Sequence, residues 1–122
     1  MKPLKKILVS HEDSEVADCL SLLIKAYSRP LYIRTMYRAS TAIHMMGLGM
    51  YDVAVLPFRR GRPDDEQVAC LIRQRTRVKR PRLIGIATER DKGAANLAAS
   101  TFDQQFFLPH GIDALLDAIN HD

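Results

Sequence analysis

The chain has 122 residues, of which 47% are hydrophobic and 26% are charged. This balance predicts a single globular domain, residues 1–122, with a core of ordinary size. No apolar run approaches the roughly 18 residues of a membrane-spanning helix, so we expect no membrane insertion. The net charge of +4 is too small to indicate nucleic acid by itself.

Two further features indicate a cytoplasmic protein. The basic start of the chain precedes only a short apolar stretch, Ile7–Val9, which is too brief for the core of a signal peptide. Cys19 and Cys70 fall in helical patterns and lack the spacing of zinc ligands. We therefore expect both to be reduced, packed thiols.

In chain order, the first half of the sequence predicts a strand, a helix, a strand, a short helix and a strand. The three strands are the apolar runs Lys5–Ser10, Leu31–Tyr37 and Tyr51–Leu56. Asp13 or Ser14 can cap the first helix, whose apolar residues recur at helical spacing as far as Tyr27. Ser40 can cap the second helix, which Gly47 ends.

The second half continues the same alternation. Asp64 or Asp65 can open a helix with three residues facing inward, namely Val68, Leu71 and Ile72. A strand follows at Leu83–Ala87, and then an Ala-rich helix over residues 91–100. Gln105–Leu108 predicts a short last strand, and the apolar spacing from Ile112 onward predicts a last helix.

Five strands alternating with five helices in a chain of this length are typical of an α/β fold. The sheet is then parallel, and helices joined through right-handed crossovers cover both of its faces. We predict a doubly wound, flavodoxin-like, five-stranded parallel sheet with the strand order 2-1-3-4-5. In such a sheet a binding site lies at the carboxyl ends of the strands.

The residues that directly follow the predicted strands therefore mark the functional edge. They are His11, Glu12 and Asp13 after the first strand, Pro57, Phe58, Arg59 and Arg60 after the third, Thr88 and Glu89 after the fourth, and Leu108, Pro109 and His110 after the fifth. Any chemistry of this fold is expected among these side chains.

Four motifs that contain these positions resemble those of the response-regulator receiver (CheY-like) domain, the phospho-acceptor module of two-component signalling. The motifs are ILVSHED, YDVAVLP, LIGIAT and FFLP, and the resemblance covers nearly the whole chain. In that family an acidic pair after the first strand binds magnesium, and an aspartate that ends the third strand takes the phosphoryl group. A Thr or Ser ends the fourth strand, and a Lys-Pro pair ends the fifth.

The chain departs from this family pattern at the positions that carry its chemistry. The acidic pair falls on His11 and Glu12, the acceptor aspartate on Pro57 and the lysine on Leu108. Phosphoryl transfer to a carboxylate needs that carboxylate, a hard cation and a positive side chain. The resemblance therefore implies a degenerate pseudo-receiver that lacks the acceptor aspartate, and we expect no enzymatic activity, no metal and no cofactor.

Two other positions concern the switch that receiver domains carry. Thr88 keeps the hydroxyl at the end of the fourth strand, whereas Gln105 stands where the family has an aromatic switch residue. Without that ring the usual coupling to Thr88 should be absent. We expect one fixed conformation and not a two-state switch.

The arginines that follow Pro57 allow two interpretations. Arg59, Arg60 and Arg62 can form a solvated loop. Alternatively, the guanidinium of Arg59 or Arg60 reaches Glu12 and takes the place of the magnesium ion. A carboxylate that is retained after its cation is lost needs another partner for its charge.

The resemblance also implies a surface for protein contacts, formed by the fourth helix, the fifth strand and the fifth helix. In this chain that face comprises Ala94, Ala98, Gln104, Gln105, Phe106, Asp113 and Asp117. The main hypothesis is a phosphorylation-independent protein–protein interaction module of two-component-type signal transduction. Its partner is another signalling protein or a second copy of the chain, as a homodimer.

A second hypothesis is a nucleic-acid-binding regulator that uses the basic segment Arg73–Arg82. Its cations form a basic patch of Arg73, Arg75, Arg77, Lys79, Arg80 and Arg82. The segment lies at the rim opposite Arg59 and lacks the interleaved aromatic residues of single-strand binders. Cations at the end of a helix also need no partner beyond its dipole.

A third hypothesis is an unconventional phospho-acceptor or a metal-binding protein that uses His11 and Glu12. Asp13 and His110 could extend these residues to a transition-metal cluster. Asp13 is better explained as a helix cap, and His110 as a loop residue before the last helix.

Overall fold

The computed structural model describes residues 4–28, 31–59, 62–76, 80–88, 90 and 101–121. Within them the chain forms five strands and four helices. These are β1 Lys5–Ser10, α1 Ser14–Tyr27, β2 Leu31–Met36, α2 Ala39–Gly47, β3 Val53–Pro57, α3 Pro63–Arg75, β4 Arg82–Thr88, β5 Gln104–Leu108 and α4 Ile112–Asn120. The predicted Ala-rich helix over residues 91–100 lies outside the described residues.

All five strands pair in parallel in one sheet with the order β2-β1-β3-β4-β5. Ile7 of β1 pairs with Ile33 on one side and with Val53 of β3 on the other. The predicted α/β class, the flavodoxin-like architecture and the strand order are therefore confirmed. Because the strands are parallel, the loops that follow β1, β3, β4 and β5 meet at one edge.

The central strands are buried on both faces, as parallel sheets between helices require. Alternate residues of β1, β3 and β4 point to opposite sides, which produces two separate cores. Leu8, Ala54 and Leu83 pack in the core that includes buried residues of α2 and α3. The other core includes buried residues of α1 and α4, and Ile7 and Val55 belong to it.

The helix starts agree with the sequence in one case and differ in two. Asp13 caps α1, because its Oδ1 accepts the backbone N–H of Glu15 at 3.0 Å. The expected cap of α2, Ser40, lies inside the helix, and Arg38 precedes the helix without a side-chain cap. The third helix opens at Pro63, the position at which the missing N–H of proline costs nothing, so Asp64 and Asp65 lie in its first turn.

Some residues expected in the core are exposed. Cys19 lies on the exposed side of α1, so the prediction of two packed thiols is wrong for it, and Cys70 is half-buried. Tyr27, at the end of α1, and Leu71 of α3 are exposed as well. Of the three α3 residues predicted to face inward, Ile72 is buried and Val68 packs partly buried against the core. Asp65 and Ala69 are the other buried residues of α3.

Among the helices that the structure describes, none is both long and apolar enough to cross a membrane.

Candidate functional site

The carboxyl edge of the sheet is held together by the residues around Pro57. The sequence predicts the end of the third strand at Leu56, but β3 continues through Pro57, which pairs with Ile86 of β4. The last pair between β3 and β1 is Val55 with Val9, so Pro57 lies beyond the end of that ladder. The backbone N–H that proline lacks is therefore not needed by β1.

Phe58 anchors the loop that follows β3. Its N–H donates to the Ile86 carbonyl at 2.9 Å, and its side chain is buried. The ring lies 5.6 Å from that of Phe102 and 5.8 Å from that of Phe107. Gly85 of β4 makes room for it, because a Cβ at residue 85 would lie 2.6 Å from the Phe58 ring. Because the Phe58 side chain is packed in the core, the backbone of the next residue, Arg59, is held in place.

Arg59 is bound by the carboxylate of Asp65. Its backbone N–H and its Nε–H each donate to Oδ2 at 2.9 Å, and its Nη2 donates to Oδ1 at 2.8 Å. The Arg62 N–H also donates to the Arg59 carbonyl at 3.1 Å, and the Asp65 N–H donates to the Arg62 carbonyl at 3.0 Å. Asp65 is only 8% exposed, so this ion pair is largely removed from water.

The same guanidinium contacts a second carboxylate. Nη1 of Arg59 donates to Oε1 of Glu12 in the loop between β1 and α1. Arg62 approaches the same oxygen at 3.3 Å from a more exposed position. The ion pair between Arg59 and Glu12, one of the two interpretations of the arginine loop, is therefore present. It ties the loop after β1 to the loop after β3.

The charges of this cluster shift the acid–base properties of its members. The hydrogen bond from Arg59 lowers the pKa of Glu12, and the charge of Arg59 lowers it further. The hydrogen bonds to Asp65 raise the pKa of Arg59 above its ordinary value, with a smaller contribution from Glu12. Glu12, an exposed carboxylate, and Arg59 are accordingly both charged over the whole physiological range.

His11 is held by two hydrogen bonds at the start of the loop after β1. Its Nδ1 accepts the N–H of Asp13 at 3.0 Å, and its own N–H donates to the Met36 carbonyl at 3.1 Å. An accepting Nδ1 places the ring proton on Nε2. Burial lowers the pKa of His11, and the neighbouring charge of Arg59 lowers it further. His11 is therefore a neutral side chain at neutral pH.

Asp65 is the member of this cluster that the sequence analysis missed. The sequence predicts Asp65 only as a residue that opens a helix. A signal was available, because residues 65, 69 and 72 are spaced four and three apart and share one face of α3. A carboxylate on the buried face of a helix requires a cation as its partner.

The other predicted edge residues border one larger cleft. It has a volume of about 620 Å³ and lies between the loops that follow β1 and β3 and the ends of β4 and β5. Its lining residues are His11, Asp13, Val16, Arg59, Arg62, Ile86, Ala87, Thr88, Arg90, Leu108 and Pro109. A smaller cavity of about 40 Å³ adjoins Glu12, Pro57, Arg59 and Asp65. Thr88 and Leu108 thus share one cleft with His11, whereas Gln105 is not among its lining residues.

The described residues contain no group of three or more His, Cys, Asp or Glu side chains placed to hold a metal ion. The carboxylates of Glu12 and Asp65 are both bound to Arg59. The cation between them is a guanidinium.

The predicted interaction surface is only partly described. Ala94 and Ala98 lie outside the described residues, and the others lie on β5 and α4. Gln104, Gln105 and Phe106 are half-buried, and Phe106 packs against the core beneath α1 and α4. Asp113 and Asp117 are exposed on α4. Because successive residues of a strand point to opposite faces, Gln105 and Phe106 do not belong to one surface.

The basic segment contains arginines that bind to the protein itself. Arg73 donates to the Pro81 carbonyl at 2.6 Å and pairs with Asp103, which Arg80 also approaches at 3.5 Å. Arg82 donates to the Ala118 carbonyl of α4 at 2.5 Å. Arg75 and Arg80 are exposed, and Arg77 and Lys79 lie outside the described residues. Three of the six cations, Arg73, Arg80 and Arg82, therefore contact the protein itself.

Comparisons with protein-family models and with curated proteins give no match to this chain. Solved structures do match it. The chain is similar to a response regulator (signal receiver domain) from Bermanella marisrubri, with 22% identity, a TM-score of 0.75 and 96% of each chain covered. It is also similar to the signal receiver domain of a DNA-binding response regulator protein from Colwellia psychrerythraea, with 17% identity, a TM-score of 0.79 and 94% of each chain covered.

A third similar structure has a different description. It is a putative pilus assembly protein from Burkholderia thailandensis, with 16% identity, a TM-score of 0.76 and 95% of each chain covered. Identities at this level establish the fold alone, and proteins that share a fold can differ in function. The chain has the flavodoxin-like fold of response-regulator receiver domains.

Proposed function

We propose that this chain is a pseudo-receiver, a receiver-like module that works without aspartyl phosphorylation and acts through contacts with other proteins in two-component-type signalling. The observation that carries the proposal is the environment of Pro57. The strand that would present an acceptor aspartate ends in a residue without a nucleophile. Two residues farther on, Arg59 is bound to the nearby carboxylates of Glu12 and Asp65.

At this edge the groups that phosphoryl transfer requires are either absent or already bound to an arginine. Glu12 would be the remaining ligand for a hard cation, but Arg59 and Arg62 both contact its Oε1. The positive side chain expected at the end of β5 is replaced by Leu108. A divalent cation would have to displace a guanidinium that Asp65 holds through two side-chain hydrogen bonds.

The same contacts support a module with one conformation. Arg59 joins the loop after β1 to the loop after β3, and Phe58 fixes the second loop in the core. Signalling would then depend on whether a partner is bound and not on a change between two states of the domain. We propose a cytoplasmic module without enzymatic activity, whose partner is a signalling protein or a second copy of the chain.

The test is to record amide NMR spectra with Mg²⁺ alone and with Mg²⁺ plus beryllofluoride, a mimic of the phosphoryl group. We expect no saturable shifts at residues 10–13, 58, 59 and 88. A receiver domain that has its acceptor aspartate serves as the positive control under the same conditions. Saturable shifts at this edge would contradict the proposal.

A further inference from the structure

The cleft at the carboxyl edge has the size and walls of a small-molecule site. Its volume of about 620 Å³ lies within the range of roughly 300–1,000 Å³ that is typical of ligand pockets. Val16, Ile86, Ala87, Leu108 and Pro109 supply apolar surface. Leu108 matters most here, because it lies at the end of β5, where the resemblance to receiver domains implies a lysine.

The rim of the cleft carries the positive charge. Arg59, Arg62 and Arg90 line it, and Arg62 and Arg90 are exposed to solvent. Arg59 is bound to both Asp65 and Glu12. Arg62 contacts only one oxygen of Glu12, at 3.3 Å, and 58% of its side chain is exposed. The guanidinium groups of Arg62 and Arg90 therefore offer hydrogen-bond donors to a group within the cleft.

The remaining polar groups of the lining favour an anion over a cation. Asp13 is the one carboxylate among the described lining residues, and its Oδ1 accepts the N–H groups of Glu15 and Val16. His11 offers its Nε2–H, because its Nδ1 already accepts the Asp13 N–H. Thr88 contributes a hydroxyl. Apolar walls with cationic donors at one rim match a ligand that has an apolar body and a negatively charged end.

We propose that this cleft binds a small organic oxyanion non-covalently, with a carboxylate or phosphate group at Arg62 and Arg90 and an apolar body against Leu108, Ile86 and Val16. The site goes beyond the proposed signalling function and does not depend on it. It involves no transfer of a group to the protein. A bound ligand would contact the ends of β4 and β5 and the loop that begins at His11.

The experiment is an amide NMR titration of the whole chain with four probes: 2-naphthoate, phenyl phosphate, inorganic phosphate and the neutral 2-naphthol. We expect saturable shifts at Val16, Thr88 and Leu108 with at least one of the two organic anions, and binding about tenfold weaker or absent with inorganic phosphate and 2-naphthol. A preference for 2-naphthoate would identify carboxylates as the ligand class, and a preference for phenyl phosphate would identify phosphate esters.

Two double variants provide the matched comparison. R62A/R90A removes both exposed guanidinium groups at the rim, and R34A/R75A removes the same charge from exposed positions that do not line the cleft. The first should weaken binding of the organic anion by about tenfold or more, and the second should leave it unchanged. Equal weakening by both variants, equal binding of the neutral probe or an absence of saturable shifts would overturn the proposal.

The result can be separated from a failure of the proposed signalling function. Intact mass is recorded on a parallel sample incubated with acetyl phosphate and Mg²⁺, because none of the four probes is an effective phosphoryl donor. The mass increment of one phosphoryl group would count against the phosphorylation-independent module, whereas missing or non-saturable shifts count only against the ligand site.

Discussion

Arg59 and Asp65 bind each other through three hydrogen bonds, two from the arginine side chain and one from its backbone. The aspartate is almost completely buried on the inward face of α3, and the arginine extends from it to Glu12. One guanidinium therefore joins two loops and pairs with two carboxylates at the carboxyl edge of the sheet.

The first prediction concerns the stability that this pair provides. Arg59→Ala leaves the buried carboxylate of Asp65 without its cation, which should lower the free energy of unfolding by about 2–4 kcal/mol. Arg62→Ala removes an exposed charge that shares one Glu12 oxygen, and it should cost less than about 0.5 kcal/mol. Urea denaturation of both variants measures the difference. Equal values for the two would show that the buried pair has no special role.

The second prediction concerns the space that the guanidinium fills. In Arg59→Ala, Glu12 and Asp65 lose the cation between them, and Mg²⁺ prefers such carboxylate oxygens. Saturating Mg²⁺ should raise the Tm of this variant by about 3–6 °C and leave that of the wild-type protein unchanged. Adding Asp65→Asn to Arg59→Ala should abolish the rise. A rise of equal size in the wild-type protein would show that Arg59 does not exclude the ion.

The third prediction concerns the aromatic cluster behind the site. A Cβ at Gly85 would lie 2.6 Å from the Phe58 ring and 3.1 Å from the Phe102 ring, so Gly85→Ala should destabilise the protein by about 1–3 kcal/mol.

Gly47→Ala is the matched control, because the nearest atom to its new Cβ is 4.0 Å away and the residue ends a helix. This substitution should be neutral or stabilising by up to about 1 kcal/mol. Denaturant midpoints of both variants test the pair, and a neutral Gly85→Ala would mean that Phe58 is not closely packed.

The fourth prediction concerns pH. Burial and the charge of Arg59 lower the pKa of His11 in the folded protein, so the unfolded chain binds this proton at higher pH. The contribution of His11 to stability is therefore complete above its ordinary pKa of about 6.5 and is lost as the pH falls through the lowered value.

His11→Asn keeps an acceptor for the Asp13 N–H but cannot titrate near neutrality. Between about pH 5.5 and 8, the wild-type free energy of unfolding should fall on acidification more steeply than that of His11→Asn. Parallel pH profiles for the two proteins would exclude His11 as the cause.

The fold could be predicted from the sequence, because its signal is repeated along the chain. Short apolar runs such as Tyr51–Leu56 alternate with helical spacing such as that leading to Tyr27, and the order of elements restricts the topology. The residues at which the strands and helices begin and end could be predicted less well. β3 can continue through Pro57 because β1 no longer pairs with β3 at this residue, so the N–H that proline lacks is not needed for a hydrogen bond. Where that pairing ends depends on the neighbouring strand and not on the sequence of β3.

The site could be predicted only in part, since its main contact joins residues from three elements. The ion pair of Arg59 with Glu12 was one of two interpretations, and it followed from the charge that a carboxylate keeps after its cation is lost. Asp65 was missed because Asp64, Asp65 and Glu66 follow one another, and which of them turns inward depends on how α3 packs. The segment Arg73–Arg82 shows the reverse case, because its charge density suggested a ligand although Arg73 and Arg82 bind the protein itself.

Intact mass spectrometry after incubation with acetyl phosphate and Mg²⁺ tests the central claim most directly. A receiver domain that has its acceptor aspartate is treated in parallel, and its mass should increase by one phosphoryl group. Because Pro57 offers no nucleophile and Glu12 is bound to Arg59, we predict that the mass of this chain stays unchanged. An increment of one phosphoryl group on this chain, and its loss in His11→Asn or Glu12→Gln, would contradict a module that works without phosphorylation.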